Sequence, residues 1–147
     1  MSTASPDCVF CAIVAGTTPA HLVLDEPAVV GFLDRRPVFK GHVLVAPRDH
    51  VVTLPDLTPD QLTTVMTAAQ RVAAAVPGAL DAQGTFVAVN NVVSQSVPHL
   101  HVHVVPRRRG DGLRGFFWPR TTYDSDQEAA EIAGVLRTAV AASLVDE

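Results

Sequence analysis

Basic residues are scarce in this sequence and almost all of one kind. Among 147 residues, 11 are Lys or Arg against 15 Asp or Glu, a net charge of −4. A general nucleic-acid binder shows a dominant basic face, so this balance excludes that class. Lys40 is the single lysine. No apolar run approaches the ~18–20 residues of a membrane span, and residues 1–7 carry no Lys or Arg, so neither a spanning segment nor a secretory leader is expected. Charged residues are few (18%) and hydrophobic ones many (48%), which excludes a chain too polar to fold. Only two cysteines are present, Cys8 and Cys11, too few for a disulfide framework. The expectation is one soluble cytoplasmic domain over 1–147, with residues 1–7 as an arm.

What is present follows an α+β order. Residues 8–14 read as a short helix stopped at Gly16. Extended segments follow at His21–Asp25, Ala28–Asp34 and His42–Pro47, the first two joined by a turn at Asp25-Glu26-Pro27. Thr58, Pro59 and Gln61 form a helix start with a capping box. Leu62, Val65, Met66, Ala69, Val72, Ala73 and Val76 then make a core stripe ended by Pro77-Gly78. Phe86–Asn90 and Leu100–Val105 return to strand character. A last helix runs from about Ser125, with Glu128 as its box partner, to about Val145, its core stripe being Ala129, Ile132, Ala133, Leu136 and Val140. Alternation of this kind predicts a mainly antiparallel five-stranded sheet with two main helices and a short N-terminal one.

Three of the six histidines stand at alternate positions in Pro98-His99-Leu100-His101-Val102-His103-Val104-Val105-Pro106. In a strand, His99, His101 and His103 share one face, while Leu100, Val102 and Val104 point into the core. Imidazoles so spaced can chelate a transition metal, or one can act as nucleophile or general base near neutral pH. The upstream run Asn90-Asn91-Val92-Val93-Ser94-Gln95-Ser96 offers neutral amides and hydroxyls. These suit phosphate oxygens and a leaving group better than a hard cation, which favours the nucleophile. Cys8-x-x-Cys11 alone is open between a redox pair, a zinc half-site and two small core residues. Five Arg lie between Arg107 and Arg120, opposed only by Asp111. They form either a solvated loop or a phosphate-attracting patch. Trp118, in Phe116-Phe117-Trp118-Pro119, packs or covers substrate.

The stretch from Ser96 to Arg107 resembles the signature of the histidine triad (HIT) family. Two further blocks carry the likeness: Phe32-Leu33-Asp34, Pro37, Gly41-His42-Val43-Leu44-Val45-Ala46-Pro47 and His50; and Cys8 to Val14. It runs from about Cys8 to Arg107 and fades beyond. The resemblance implies a nucleotide-processing homodimer acting on a purine nucleotide or dinucleoside polyphosphate. His101 attacks an α-phosphorus to form a nucleotidyl-histidine, His103 and His42 complete the site, and Ser96 and Gln95 contact phosphate or leaving group. Asn90 lies near the reacting phosphate, Asp34 takes the ribose hydroxyls, and Phe10, Ile13 and Phe32 surround the base. Some bacterial members bind structural zinc through positions matching Cys8, Cys11, His50 and His99, and no catalytic metal is implied. The loop between Asn91 and Gln95 is shorter here than in many relatives and lacks their glycine. His103 stands where the transferase and phosphorylase branches carry Gln. A nucleotide-binding sensor with little catalysis is the competing reading, and a metallohydrolase a third.

Overall fold

The computed structural model describes residues 4–114 and 121–143. The chain divides into two compact units, residues 1–111 and 112–147, each described by itself. The first contains α1 (Val9–Val14), β1 (Leu22–Asp25), β2 (Val29–Leu33), β3 (Val43–Pro47), a 3-10 turn (Leu54–Asp56), α2 (Pro59–Leu80), β4 (Gly84–Ala88) and β5 (Val102–Arg107). The strands form one antiparallel sheet in the order β1-β2-β3-β5-β4. The second unit contains α3 (Asp126–Ser143). This is the expected α+β architecture.

The sheet is a partition with different chemistry on its two sides. Val29, Val43, Val45, Val102 and Val104 pack against Val65, Ala68, Ala69, Val72 and Val76 of α2. Side chains alternate along a strand, so Val30, Phe32, Leu44 and Ala46 emerge on the other side, where they meet Cys8, Phe10 and Cys11. Each fully buried Val, Leu or Phe contributes roughly 1.5–3 kcal/mol of transfer energy, so both layers hold the sheet. Gly41, at the entrance to β3, has φ +97°, and a Cβ there would come within 2.3 Å of Leu80 Cδ1. Glycine is therefore required immediately before His42.

α2 starts as the sequence predicts: Gln61 N–H donates to Thr58 Oγ1 at 3.1 Å and Thr58 N–H to Gln61 Oε1 at 2.9 Å. Its end differs. The helix continues through Pro77-Gly78 to Leu80 and closes on Asp81, which takes left-handed φ 54° and donates its N–H to the Pro77 carbonyl. Proline in the last turn forfeits one backbone donor without ending the helix, and the Arg108 guanidinium satisfies the Leu80 and Asp81 carbonyls beyond it. Leu62 and Met66, expected in the core, are 41% and 38% exposed, and Ala68 takes a buried place instead.

β4 and β5 are offset from the predicted bounds. They pair from Gly84↔Arg107 to Ala88↔His103, whereas the Leu100 N–H is taken by the Val51 carbonyl at 2.7 Å, outside the ladder. Only His103 of the three histidines therefore sits within β5. At the start of α3, Glu128 N–H donates to Ser125 Oγ at 3.0 Å, but the Glu128 carboxylate accepts from Asp124 N–H rather than from Ser125. The α3 stripe, expected as core, leaves Ile132, Leu136 and Val140 exposed. Phe116-Phe117-Trp118-Pro119 and Arg120 lie outside the described residues.

Candidate functional site

The four sulfur and imidazole groups expected to bind zinc converge. Cys8 caps α1 and Cys11 lies one turn later, so both thiols leave the same end of the helix. Cys8 Sγ is 3.4 Å from His99 Nδ1; Cys11 Sγ is 3.6 Å from that nitrogen and 3.4 Å from His50 Nδ1. All four donor atoms fall within 4.8 Å of one another. Zinc bonds of about 2.3 Å to sulfur and about 2.0 Å to nitrogen require tetrahedral S···N edges of about 3.5 Å, which these contacts match. His99 Nε2–H donates to the Pro47 carbonyl at 2.8 Å, leaving the Nδ1 lone pair on the cluster side. Burial raises the Cys11 thiol pKa, an effect a bound cation reverses. The donor set fits zinc.

Hydrogen bonds fix the tautomers of His42, His101 and His103. His101 Nδ1–H donates to the His99 carbonyl at 2.8 Å, so Nε2 of the neutral ring carries the lone pair. Val38 N–H donates to His42 Nδ1 at 3.1 Å. His42 Nε2 must then carry that ring's proton and donate it across 2.9 Å to His103 Nδ1, which leaves the His103 proton on Nε2. Asp34 Oδ2 lies 3.7 Å from His42 Nδ1, and Asp34 Oδ1 accepts from Arg36 N–H at 2.9 Å. Asp34, His42 and His103 are close enough to suggest a cation. Yet both nitrogens of His42 are committed to hydrogen bonds, so the set works as a proton-donating chain.

These rings are held neutral. Burial lowers the pKa of His42, His99 and His101. Burial, then the charges of His101 and His42, push His103 down to about 4. A neutral imidazole is the form that can attack phosphorus.

His101 and His103 open onto a cavity of about 680 Å³ on the α1 side of the sheet. Its other predicted residues are Phe10, Ile13, Phe32, Asp34 and Ser96. Phe10 stands edge-on to both Phe32 and His101, with ring centroids 5.1 and 5.0 Å apart. Across the sheet, Leu22 pairs Phe32, Phe32 pairs Leu44, Leu44 pairs His103 and His103 pairs Ala88. The cavity therefore runs across the strands from β5 towards β1.

His42, Asn90 and Gln95 do not line it. His42 stands behind His103. Asn90 Nδ2 donates to the Ser94 carbonyl at 3.3 Å. Gln95 Nε2 donates to the Val52 carbonyl at 2.6 Å, and Gln95 Oε1 accepts from Val92 N–H at 2.9 Å. Asn91 Oδ1 accepts from Leu54 N–H at 2.8 Å. The shortened loop is thus clamped at three points, and its backbone carries strain, with Val92 at φ 69° and Ser94 at φ 62°. The arginine stretch also has structural duties: Arg107 Nε donates to Asp111 at 2.6 Å, Arg108 caps α2, and neither lines the cavity. Sequence reading missed His21 and Arg35, which do line it. His21 reaches it through the β1–β2 pairing, and Arg35 follows Asp34 directly, as a position inside the Phe32–His50 block that is not one of its motif residues.

The HIT domain family pattern matches residues 15–110. The chain belongs to the HIT family. An uncharacterised HIT-like protein of Mycobacterium tuberculosis (strain ATCC 25618 / H37Rv) is 38% identical over 136 residues, covering 91% of this chain and 93% of the relative. The crystal structure of SMU.412c from Streptococcus mutans UA159 superposes with TM-score 0.83 at 31% identity, covering 95% of this chain and 89% of that one. A zinc-bound histidine triad family protein from Mycobacterium smegmatis is 37% identical with TM-score 0.70, covering 92% of this chain and 97% of that one. Relatives with named activities include an adenylylsulfatase of Arabidopsis thaliana, an adenosine 5′-monophosphoramidase of Saccharomyces cerevisiae and an asymmetrical bis(5′-nucleosyl)-tetraphosphatase of Schizosaccharomyces pombe. Their identities to this HIT chain are 28%, 30% and 37%, the last over 82 residues.

Proposed function

We propose that this HIT protein is a nucleotide hydrolase that attacks the α-phosphorus of a nucleoside phosphoramidate or dinucleoside polyphosphate through His101. One observation carries the reading: His101 Nδ1–H is committed to the His99 carbonyl, which reserves the Nε2 lone pair on a ring that lines the cavity. Nε2 forms a bond to phosphorus as the bond to the leaving group breaks. His103 Nε2–H and the Ser96 hydroxyl are the donors available for the phosphate oxygens and the departing group. Water then attacks the nucleotidyl-histidine and the P–N bond breaks; the proton the water loses returns to the group that protonated the leaving group, and His101 regains its neutral form with the Nε2 lone pair.

Phe10, Ile13 and Phe32 supply an apolar bed for the base, and the Asp34 carboxylate can accept both ribose hydroxyls. Gln95 and Asn90 support the loop from behind. Cys8, Cys11, His50 and His99 hold a structural zinc, which when bound supplies rigidity; no chemical step uses it. We place the protein in the cytoplasm as a homodimer, in keeping with the family resemblance.

The test is intact-mass analysis after rapid quench with adenosine phosphoramidate and, separately, diadenosine tetraphosphate. An adenylyl adduct on the wild type that His101→Ala lacks is the expected result, and the faster substrate selects the leaving group. AMP binding without adduct or turnover on either substrate overturns the enzyme reading in favour of a sensor.

A further inference from the structure

The cross-strand pairing orders the cavity's polar groups along one line. From His103 on β5 through Leu44 and Phe32 to Leu22 on β1 is three strand spacings, about 14 Å. Ser96, His101 and His103 occupy the β5 end. Asp34, just past the end of β2, approaches His42, the partner of His103. At the β1 end the polar side chains are His21 and Arg35. His21 is tied to β2 by its carbonyl, which accepts Leu33 N–H at 3.0 Å. Arg35 spans the two walls, its Nη2 donating to the Pro19 carbonyl at 3.0 Å. Given the nucleotide reading above, on which this inference rests, phosphate at His101 and ribose at Asp34 leave the base at Arg35.

We propose that Arg35 is a specificity-determining residue that makes guanine the preferred base. A guanidinium has five N–H donors and no acceptor. Its tether to Pro19 uses one Nη2 hydrogen; the other Nη2 hydrogen, with that of Nε or Nη1 beside it, keeps one two-donor edge of the fork. Guanine presents two adjacent acceptors, O6 and N7, whereas adenine pairs its N7 acceptor with an N6 amino donor. Arg35 can satisfy both guanine atoms, but against adenine it sets donor against donor. Arg35 is exposed, so the difference comes from the paired contacts that guanine gains rather than from a buried unmatched donor. Charge alone would favour both nucleotides equally, since their phosphates are the same.

Calorimetric titration of the wild type, Arg35→Met and Arg35→Lys with GMP and AMP tests this without turnover. The expected wild-type preference for GMP is about tenfold. In Arg35→Met, which keeps length but no donors, the ratio falls to about one; Arg35→Lys, a point charge without the planar fork, retains only part of it. A wild type that binds both within about twofold overturns the inference and leaves the nucleotide reading standing. So does a ratio that survives in Arg35→Met. A wild type that binds neither nucleotide overturns both. Because the wild-type ratio is itself decisive, the test survives a poorly folding variant.

Discussion

His99 and His101 are joined through the backbone of one and the side chain of the other: the His99 carbonyl accepts the His101 Nδ1 proton at 2.8 Å. The ring of the same His99 lies among Cys8, Cys11 and His50. A residue whose side chain belongs to the Cys8–Cys11–His50–His99 cluster therefore sets the tautomer of the ring that opens onto the cavity. The two sites are one mechanical unit.

Disturbing the cluster should therefore be felt at the cavity. Cys11→Ser is expected to abolish stoichiometric zinc by elemental analysis and to lower Tm by roughly 5–10 °C. The His101 ring should lose its fixed tautomer in nitrogen-15 imidazole spectra, although Cys11 does not line the cavity. An unchanged His101 spectrum in a zinc-free variant would show that the two are independent.

The chain from Val38 to His42 to His103 makes a second prediction. His42→Ala removes the donor to His103 Nδ1, so the His103 proton is no longer confined to Nε2. The expected loss is on the order of 10²–10³ in kcat with KM little changed. His42→Gln, whose amide can still donate, should restore part of it. Equal losses in both variants would assign His42 a packing role only.

Stability should depend on pH in a defined direction. His103 is held at about 4 in the folded chain, against about 6.5 unfolded. Between these values the unfolded chain binds more protons, so stability rises with pH across the window. It is fully present above about pH 6.5 and lost as pH falls towards about 4, by on the order of 2 kcal/mol after solvent screening. His42, lowered by burial, acts with the same sign. Thermal melts at steps across the window check this, and His103→Asn, which can still accept from His42, should flatten the slope.

Val92 is a β-branched residue in the left-handed region and 75% exposed, so its strain is not repaid by burial. Val92→Gly should raise stability by about 1 kcal/mol. Gln95→Ala should lower it by about 1–2 kcal/mol, because two backbone groups lose their partner. Opposite signs from adjacent parts of one loop, read as shifts of a denaturation midpoint, are hard to obtain by any other account.

Much of this is legible in the sequence itself. Alternating His and Val placed Val102 and Val104 on the α2 face and His103 on the other, because a strand permits only two directions. The Thr58–Gln61 capping box gave the start of α2 to the residue. The end of α2 was not legible, because whether Pro77 stops the helix depends on Arg108, distant in sequence, satisfying the last carbonyls. Gln95 and Asn90 looked like substrate contacts from their place in the motif. Their hydrogen bonds are made instead with the backbone of Val52, Val92 and Ser94, partners that no pattern announces. His21 is not legible for a related reason, since it reaches the cavity through the β1–β2 pairing, whereas Arg35 stands next to Asp34 and is within reach of the sequence.

The row Leu22, Phe32, Leu44, His103 also bears on how such a chain can change over generations. Each strand contributes to the cavity floor by parity: one inserted or deleted residue within β2, β3 or β5 would turn its side chains to the α2 face. Length variation should therefore be purged from these strands while substitutions drift, and insertions should accumulate in the connections. The shortened Asn91–Gln95 loop is the kind of change that parity permits, since residues 89–101 stand outside the ladder.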